Sequence, residues 1–186
     1  MERDITITPD NTLHNSENKS FKNIKTFKKA CEVLDINYND VNSVIEDIIK
    51  FSNSKSAAAM FKLSIIRRAL NLGQDLPFTK NSKNPYLYYP YNPCVNKNST
   101  LYKGQLNSGK IEIIGKIKVG KTECNILGGG TTCCYANLGF YGTHDELLGC
   151  ASKEIAEHFS KYFGMTITEA KYSNLEGFKI ITNYYK

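Results

Sequence analysis

Tryptophan is absent from this 186-residue chain, and arginine occurs only as Arg3, Arg67 and Arg68. Its net charge of +6 is therefore carried by lysine, and its aromatic character largely by 12 tyrosines. No apolar run reaches the roughly 18 residues of a membrane-spanning helix, so no membrane role is expected. Met1–Ser20 is polar and holds no apolar signal-peptide core, which points to a cytosolic protein. Six cysteines occur without a single C-x-x-C pair, so the usual zinc knuckles are excluded. Cys133-Cys134 with His144 and Cys150 fit no standard metal spacing, and no metal site or cofactor is expected. Cys31 and Cys150 sit in apolar surroundings and read as small buried thiols.

What is present points to an α+β fold. Residues 1–22, rich in Asn, Ser, Asp and Thr, read as a flexible polar arm, and 23–186 as a single domain. Thr26 caps a first helix whose Phe27, Ala30, Cys31 and Leu34 share one face. Asp40 is the expected cap of a second, with Val41, Val44, Ile45, Ile48 and Ile49 as its stripe. Ser56 is the expected cap of a third, apolar over most of its circumference and stopped near Gly73. Pro77, Pro85, Pro90 and Pro93 then forbid sustained helix, and strand signals follow. Leu147–Cys150 reads as a short strand. Ser152 caps a C-terminal helix expected to end at Gly164, with Glu157 and Lys161 paired on its outside. Thr166–Ala170 and Phe178–Tyr184 read as closing strands. The expected architecture is N-terminal helices, a β-rich middle, and one C-terminal helix packed on an antiparallel sheet.

Residues 115–122, Gly-Lys-Ile-Lys-Val-Gly-Lys-Thr, match the phosphate-binding pattern G-x-x-x-x-G-K-[ST] letter for letter. The context opposes a P-loop. Ile111, Ile113, Gly115, Ile117 and Val119 alternate with outward Lys116 and Lys118, a period of two that runs straight through the supposed loop. Gly128-Gly129-Gly130 would break the helix that must follow. A half-buried strand turning near Gly120 accounts for the same residues, with its lysines outward on an edge strand. A P-loop nucleotide-binding enzyme is the remote alternative. His144 beside Cys133 or Cys134 supplies the residue types of a thiol nucleophile pair and nothing further, so no catalytic residue is expected.

A different grouping points to a binding surface. Tyr86, Tyr88, Tyr89 and Tyr91 lie in an extended, proline-punctuated stretch. Lys103, Lys110, Lys116, Lys118 and Lys121 follow. Rings on which bases stack, with lysines that track phosphates, are what a single-stranded nucleic-acid surface requires. Tyrosines that pack a long connection against the core are the structural alternative.

Three blocks carry a resemblance: Lys25–Ile36 (Lys-Thr-Phe-Lys-Lys-Ala-Cys-Glu-Val-Leu-Asp-Ile), Ala57–Asn71 followed by Tyr88-Tyr-Pro-Tyr91, and Leu148–Phe163. In order and wording they resemble a family of small uncharacterised proteins encoded by phages and prophages of gut Bacteroidetes. Tyr91 stands where that family has tryptophan, and Ala151 where it has phenylalanine. The resemblance implies a phage context and a shared fold. It transfers no catalytic residue, because the matched positions are those already read as core or caps, among them Phe27, Leu63, Ala156 and Phe159.

The expected function is that of a non-enzymatic phage accessory protein that binds a macromolecule in the host cytoplasm, nucleic acid first. The alternative is a virion structural or assembly protein, a possible homo-oligomer whose arm docks on neighbouring phage structural subunits.

Overall fold

The computed structural model describes residues 20–71, 86–96, 111–135 and 148–185. Most of the expected arm, together with Gly73, Lys103, Lys110, His14 and His144, lies outside the described residues. The chain is α+β, as the sequence predicts, and its described residues hold three helices, a run of antiparallel strands, a long helix and a last strand. Helix α1 is Phe27–Val33, α2 Tyr38–Ser52, α3 Lys55–Leu70 and α4 Lys153–Tyr172. Strands β1 Tyr86–Tyr91 and β5 Gly130–Tyr135 form one antiparallel pair. Strands β2 Cys94–Val95, β3 Glu112–Val119, β4 Thr122–Gly128 and β6 Lys179–Asn183 form a second sheet in the order β2-β4-β3-β6.

Caps set the helix starts. Thr26 Oγ1 accepts from Lys29 N at 3.2 Å, as predicted. Helix α2 is capped by Asn37, whose Oδ1 accepts from Asn39 N at 2.9 Å, and not by Asp40. Asp40 falls in the first turn, where its charge still favours the positive helix end. Helix α3 is capped by Ser54 instead of Ser56. Asn53, left-handed at φ 50°, terminates α2 and delivers Ser54 in the extended conformation a cap needs. Ser56 is then free to donate its hydroxyl across to Ala170 O.

Ser152 caps α4 as expected, but Gly164 does not end it. The expected strand Thr166–Ala170 is the fourth and fifth turns of the same helix. Phe159, Phe163, Ile167 and Ala170 continue one buried stripe, and burying it outweighs the strand preference of Thr166, Ile167 and Thr168. Thr168 Oγ1 donates to Gly164 O at 2.8 Å, so the buried hydroxyl is satisfied within the helix. Leu148–Cys150 is no strand either; Cys150 makes a single bridge to Tyr88. The sequence also pairs Glu157 with Lys161. Instead Glu157 faces Lys153 at 3.8 Å, while Lys161 reaches Glu112 on β3 at 2.7 Å.

Two apolar clusters meet on α4. Ile24, Leu63, Ile66, Leu70, Phe159, Phe163 and Ile167 fill the space between the helices, and Cys31 and Cys150 are buried thiols as expected. On the sheet side, Ile114, Ile117 and Ile126 pack on Met165. The two strand systems are parts of one bent ribbon. Strand β1 leads into β2 through Asn92-Pro93, and β4 into β5 through Gly129, whose φ of +88° requires glycine. A polar seam from α4 holds this bend. Ser160, fully buried, accepts from Gly129 N at 3.1 Å and donates to Tyr91 O at 3.0 Å. Asn92 Nδ2 donates to Leu127 O and Ser160 O, both at 2.9 Å. Each donor named in that seam has an acceptor, while the buried Asn92 Oδ1 has no hydrogen-bond partner among the described residues.

Ser20–Lys22 belong to ordered chain, although the sequence places them in the arm. Ser20 caps the 3-10 turn Phe21–Asn23, and the Phe21 ring meets His158 edge-on at 5.5 Å.

Candidate nucleic-acid interface

The stretch 115–122 is a hairpin. Strand β3 runs unbroken to Val119, Gly120 turns with φ +58°, and Thr122 starts β4. A glycine at the first central position of a two-residue turn is the type II′ pattern. Lys121 and Thr122 therefore enter a strand and not a helix. Backbone N–H groups in β3 and β4 go to neighbouring strands, so the cradle a P-loop wraps round phosphate is not formed.

Strand β3 is a central strand, flanked by β4 and β6, where the sequence suggests an edge. Its alternation survives with one correction. A register shift between Ile113 and Gly115 places Ile114, fully buried, on the inner face with Ile117. Lys116 and Lys118 flank Ile117 and so point to the opposite, outer face. There Lys118 stands between Glu123 on β4 and Lys179 on β6, and Lys116 between Asn125 and Thr182. Lys121 projects from the exposed turn. The outer face thus gathers Lys116, Lys118, Lys121 and Lys179 against the single carboxylate of Glu123. None of these lysines makes a salt bridge among the described residues.

The tyrosines do not join them. Tyr88 and Tyr89 are partly buried on β1, in the other strand pair, and pack against the helical core. Tyr91 is 43% exposed and lies beside Gly130. Tyr86 is a backbone member of β1. Tyr88, Tyr89 and Tyr91 are therefore carried by one sheet and Lys116 and Lys118 by the other. Lys179 belongs with Lys116 and Lys118, and the sequence alone does not single it out. Its one signal is a lysine opening a strand-like run near the C-terminus, and only the pairing of β6 with β3 gives it meaning.

A second basic feature has no sequence forecast. A groove of about 600 Å³ runs between the Phe21–Asn23 turn and α4, lined by Lys22, Lys25, Lys153, Lys161, His158 and Tyr162 among others. Glu154 and Glu157 line it too, and Glu112 holds Lys161 from β3. Burial would push the Glu112 carboxyl up. Hydrogen bonds from Lys161 and Tyr185, with the Lys161 charge, win and hold it below the usual range. Lys25 and Lys161 sit over the Tyr162 ring at 5.3 and 5.6 Å, so that ring is already occupied. Three carboxylates against four lysines leave the groove far closer to neutral than the sheet face.

His158 joins the groove to the N-terminal turn. Its Nε2 lies 2.8 Å from Ile24 O, a carbonyl that can only accept, so Nε2 carries the proton. Burial lowers its pKa, and the nearby Lys25 and Lys161 charges lower it further, against the raising effect of the Ile24 bond. The folded protein therefore prefers the ring neutral, while the unfolded chain protonates near 6.5. Stability from this residue is complete above about pH 6.5 and falls as pH drops through the lower folded value. Thermal melting from pH 7.5 to 5 is expected to show this decline, and His158→Gln to flatten it. A melting temperature independent of pH in the parent would contradict the assignment.

No protein family, curated protein or solved structure matches the chain. The described helices include none long and apolar enough to cross a membrane. Among the described residues no cluster of three or more His, Cys, Asp or Glu is placed to hold a metal ion.

Proposed function

We propose that this protein is a non-enzymatic phage accessory protein that binds nucleic acid through phosphates laid across the outer face of the β2-β4-β3-β6 sheet. The observation that carries this reading is the cross-strand pair Lys118 and Lys179. Like charges directly opposite one another cost stability in a sheet. Here Glu123 flanks only one of the two, and no salt bridge among the described residues relieves either. A polyanion supplies the missing countercharge. Lys116 and Lys118, two residues apart on β3, stand about 6.6 Å from each other and continue the row along the strand.

The reading differs from a base-stacking surface. Tyr88 and Tyr89 pack on the core and leave the outer face without the expected tyrosine platform, so contact is made chiefly through its lysines to the backbone. Single strands and duplex are expected to bind with similar affinity, and affinity is expected to fall steeply with salt. Fluorescence anisotropy with a labelled single-stranded oligonucleotide and its duplex, titrated across salt, tests this. No binding of either at low salt removes the proposal.

A further inference from the structure

We infer that the free edge of β6 pairs with β6 of a second copy of this chain, joining two sheets into one that carries a continuous lysine face. The edge is open: β6 ends the strand order, and no described strand lies beyond it. It is also apolar. Ile180 is 39% exposed, Ile181 46%, Leu175 49% and Tyr184 54%. Together they are half of the exposed large hydrophobic side chains among the described residues, gathered within ten positions of sequence. Edge strands are ordinarily blunted by proline, inward charge or a cover. The run Lys179-Ile-Ile-Thr-Asn183 has no proline, and its only charge stands at its first position.

The bulge at this edge adds to the case. Lys116 and Ile117 of β3 are matched by Thr182 and Ile180, which leaves Ile181 as the extra residue that β3 does not pair. A bulge at an edge can deter pairing, but here it presents an isoleucine where a protective charge would be expected.

The charges select a second copy as occupant. Antiparallel self-pairing about Ile181 sets Ile180 opposite Thr182 and Lys179 opposite Asn183. The two Lys179 side chains then lie about 14 Å apart, beyond a Debye length of roughly 10 Å, so the pairing opposes no like charges. A two-fold axis through such a pair is perpendicular to the sheet and keeps both outer faces on the same side. Lys116, Lys118 and Lys179 of each copy then form one band, with Lys179 at its centre. That last consequence rests on the nucleic-acid reading above; the strand pairing does not. Five paired residues make a small interface, so the dimer is expected to form reversibly with concentration and not to be obligate.

Light scattering after size exclusion, across a concentration series and without nucleic acid, tests the pairing alone. The expected mass rises from one chain toward two in the parent. Ile181→Lys, which places two lysines face to face on the axis, is expected to hold the protein at one chain, and the uncharged Ile181→Ser to weaken the dimer. Matching melting curves establish that both variants fold. A strict monomer throughout, or a dimer whose mass neither substitution changes, overturns the inference. Anisotropy then separates the two proposals. Ile181→Lys adds positive charge, so the monomer is expected to keep its oligonucleotide binding, whereas in the parent an oligonucleotide long enough to cross both copies is expected to raise the dimer fraction.

Discussion

Reversing both Lys118 and Lys179 to glutamate is expected to weaken oligonucleotide binding about 100-fold at about 50 mM salt. The two residues stand directly opposite each other across β3 and β6, so both ammonium groups can reach a phosphate backbone laid over that pair. Reversal replaces two attractions with two repulsions and leaves Lys116 and Lys121 as the remaining positive charges described on the face. The salt dependence should change as well. Each phosphate neutralised contributes a slope of about −0.7 for single strands and −0.9 for duplex in log affinity against log salt. The double variant, short of two lysine–phosphate contacts, is therefore expected to show a slope shallower by about 1.4 for single strands and about 1.8 for duplex.

The same substitution makes an internal control on stability. Both side chains lie on the outer face, away from the Ile114, Ile117, Ile126 and Met165 cluster, so the melting temperature should hold within a few degrees. Single reversals should each remove about half of the logarithmic loss if the two lysines contact the same ligand. Reversals at Lys22 and Lys25, in the groove beside α4, are expected to change affinity far less. If the groove variants abolish binding and the sheet variants do not, the interface has been assigned to the wrong side of the molecule.

How much of this was legible in the sequence follows from the range over which each signal acts. Local signals carried the α+β class, the Thr26 and Ser152 caps and the β3-β4 hairpin. The hairpin in particular follows from a period of two that the phosphate-loop letters only mask. Cap identity failed where two good cappers lay close together. Ser54 and Ser56 are equivalent by composition, and only the left-handed Asn53 decides between them. Gly164 with Thr166-Ile-Thr168 reads as a helix stop followed by strand, because propensity cannot see the buried stripe that continues the helix. The lysine face failed for the same reason at longer range. Lys118 and Lys179 are 61 residues apart in sequence and become neighbours only through the pairing of β6 on β3. That pairing also makes β3 central, so its lysines do not serve as edge protection.

Gly164→Ala is expected to destabilise the protein by about 2 kcal/mol, although alanine is the better helix former. In an exposed helix interior the change would add about 1 kcal/mol of stability. Here α4 crosses the bend of the ribbon, and an added Cβ would lie 2.2 Å from Asn92 Nδ2 and 2.3 Å from Ile114 Cδ1. Neither neighbour can yield cheaply. Asn92 Nδ2 is held by Leu127 O and Ser160 O, and Ile114 is fully buried among Ile117, Ile126 and Met165. Moving Asn92 breaks two hydrogen bonds at buried carbonyls, and moving the helix opens the seam made by Ser160. An overpacking cost of up to about 3 kcal/mol thus exceeds the propensity gain. For a chain of this length the net loss lowers the melting temperature by about 4–8 °C, and Gly164→Val should lower it further. Asn92→Ala separates the two contributions. It removes the polar clash, so Gly164→Ala made in that background should cost less than in the parent, with the difference read as a coupling between the sites. A melting temperature raised by Gly164→Ala alone would mean that the glycine is a helix weakener after all, and that α4 does not approach the sheet as closely as its contacts require.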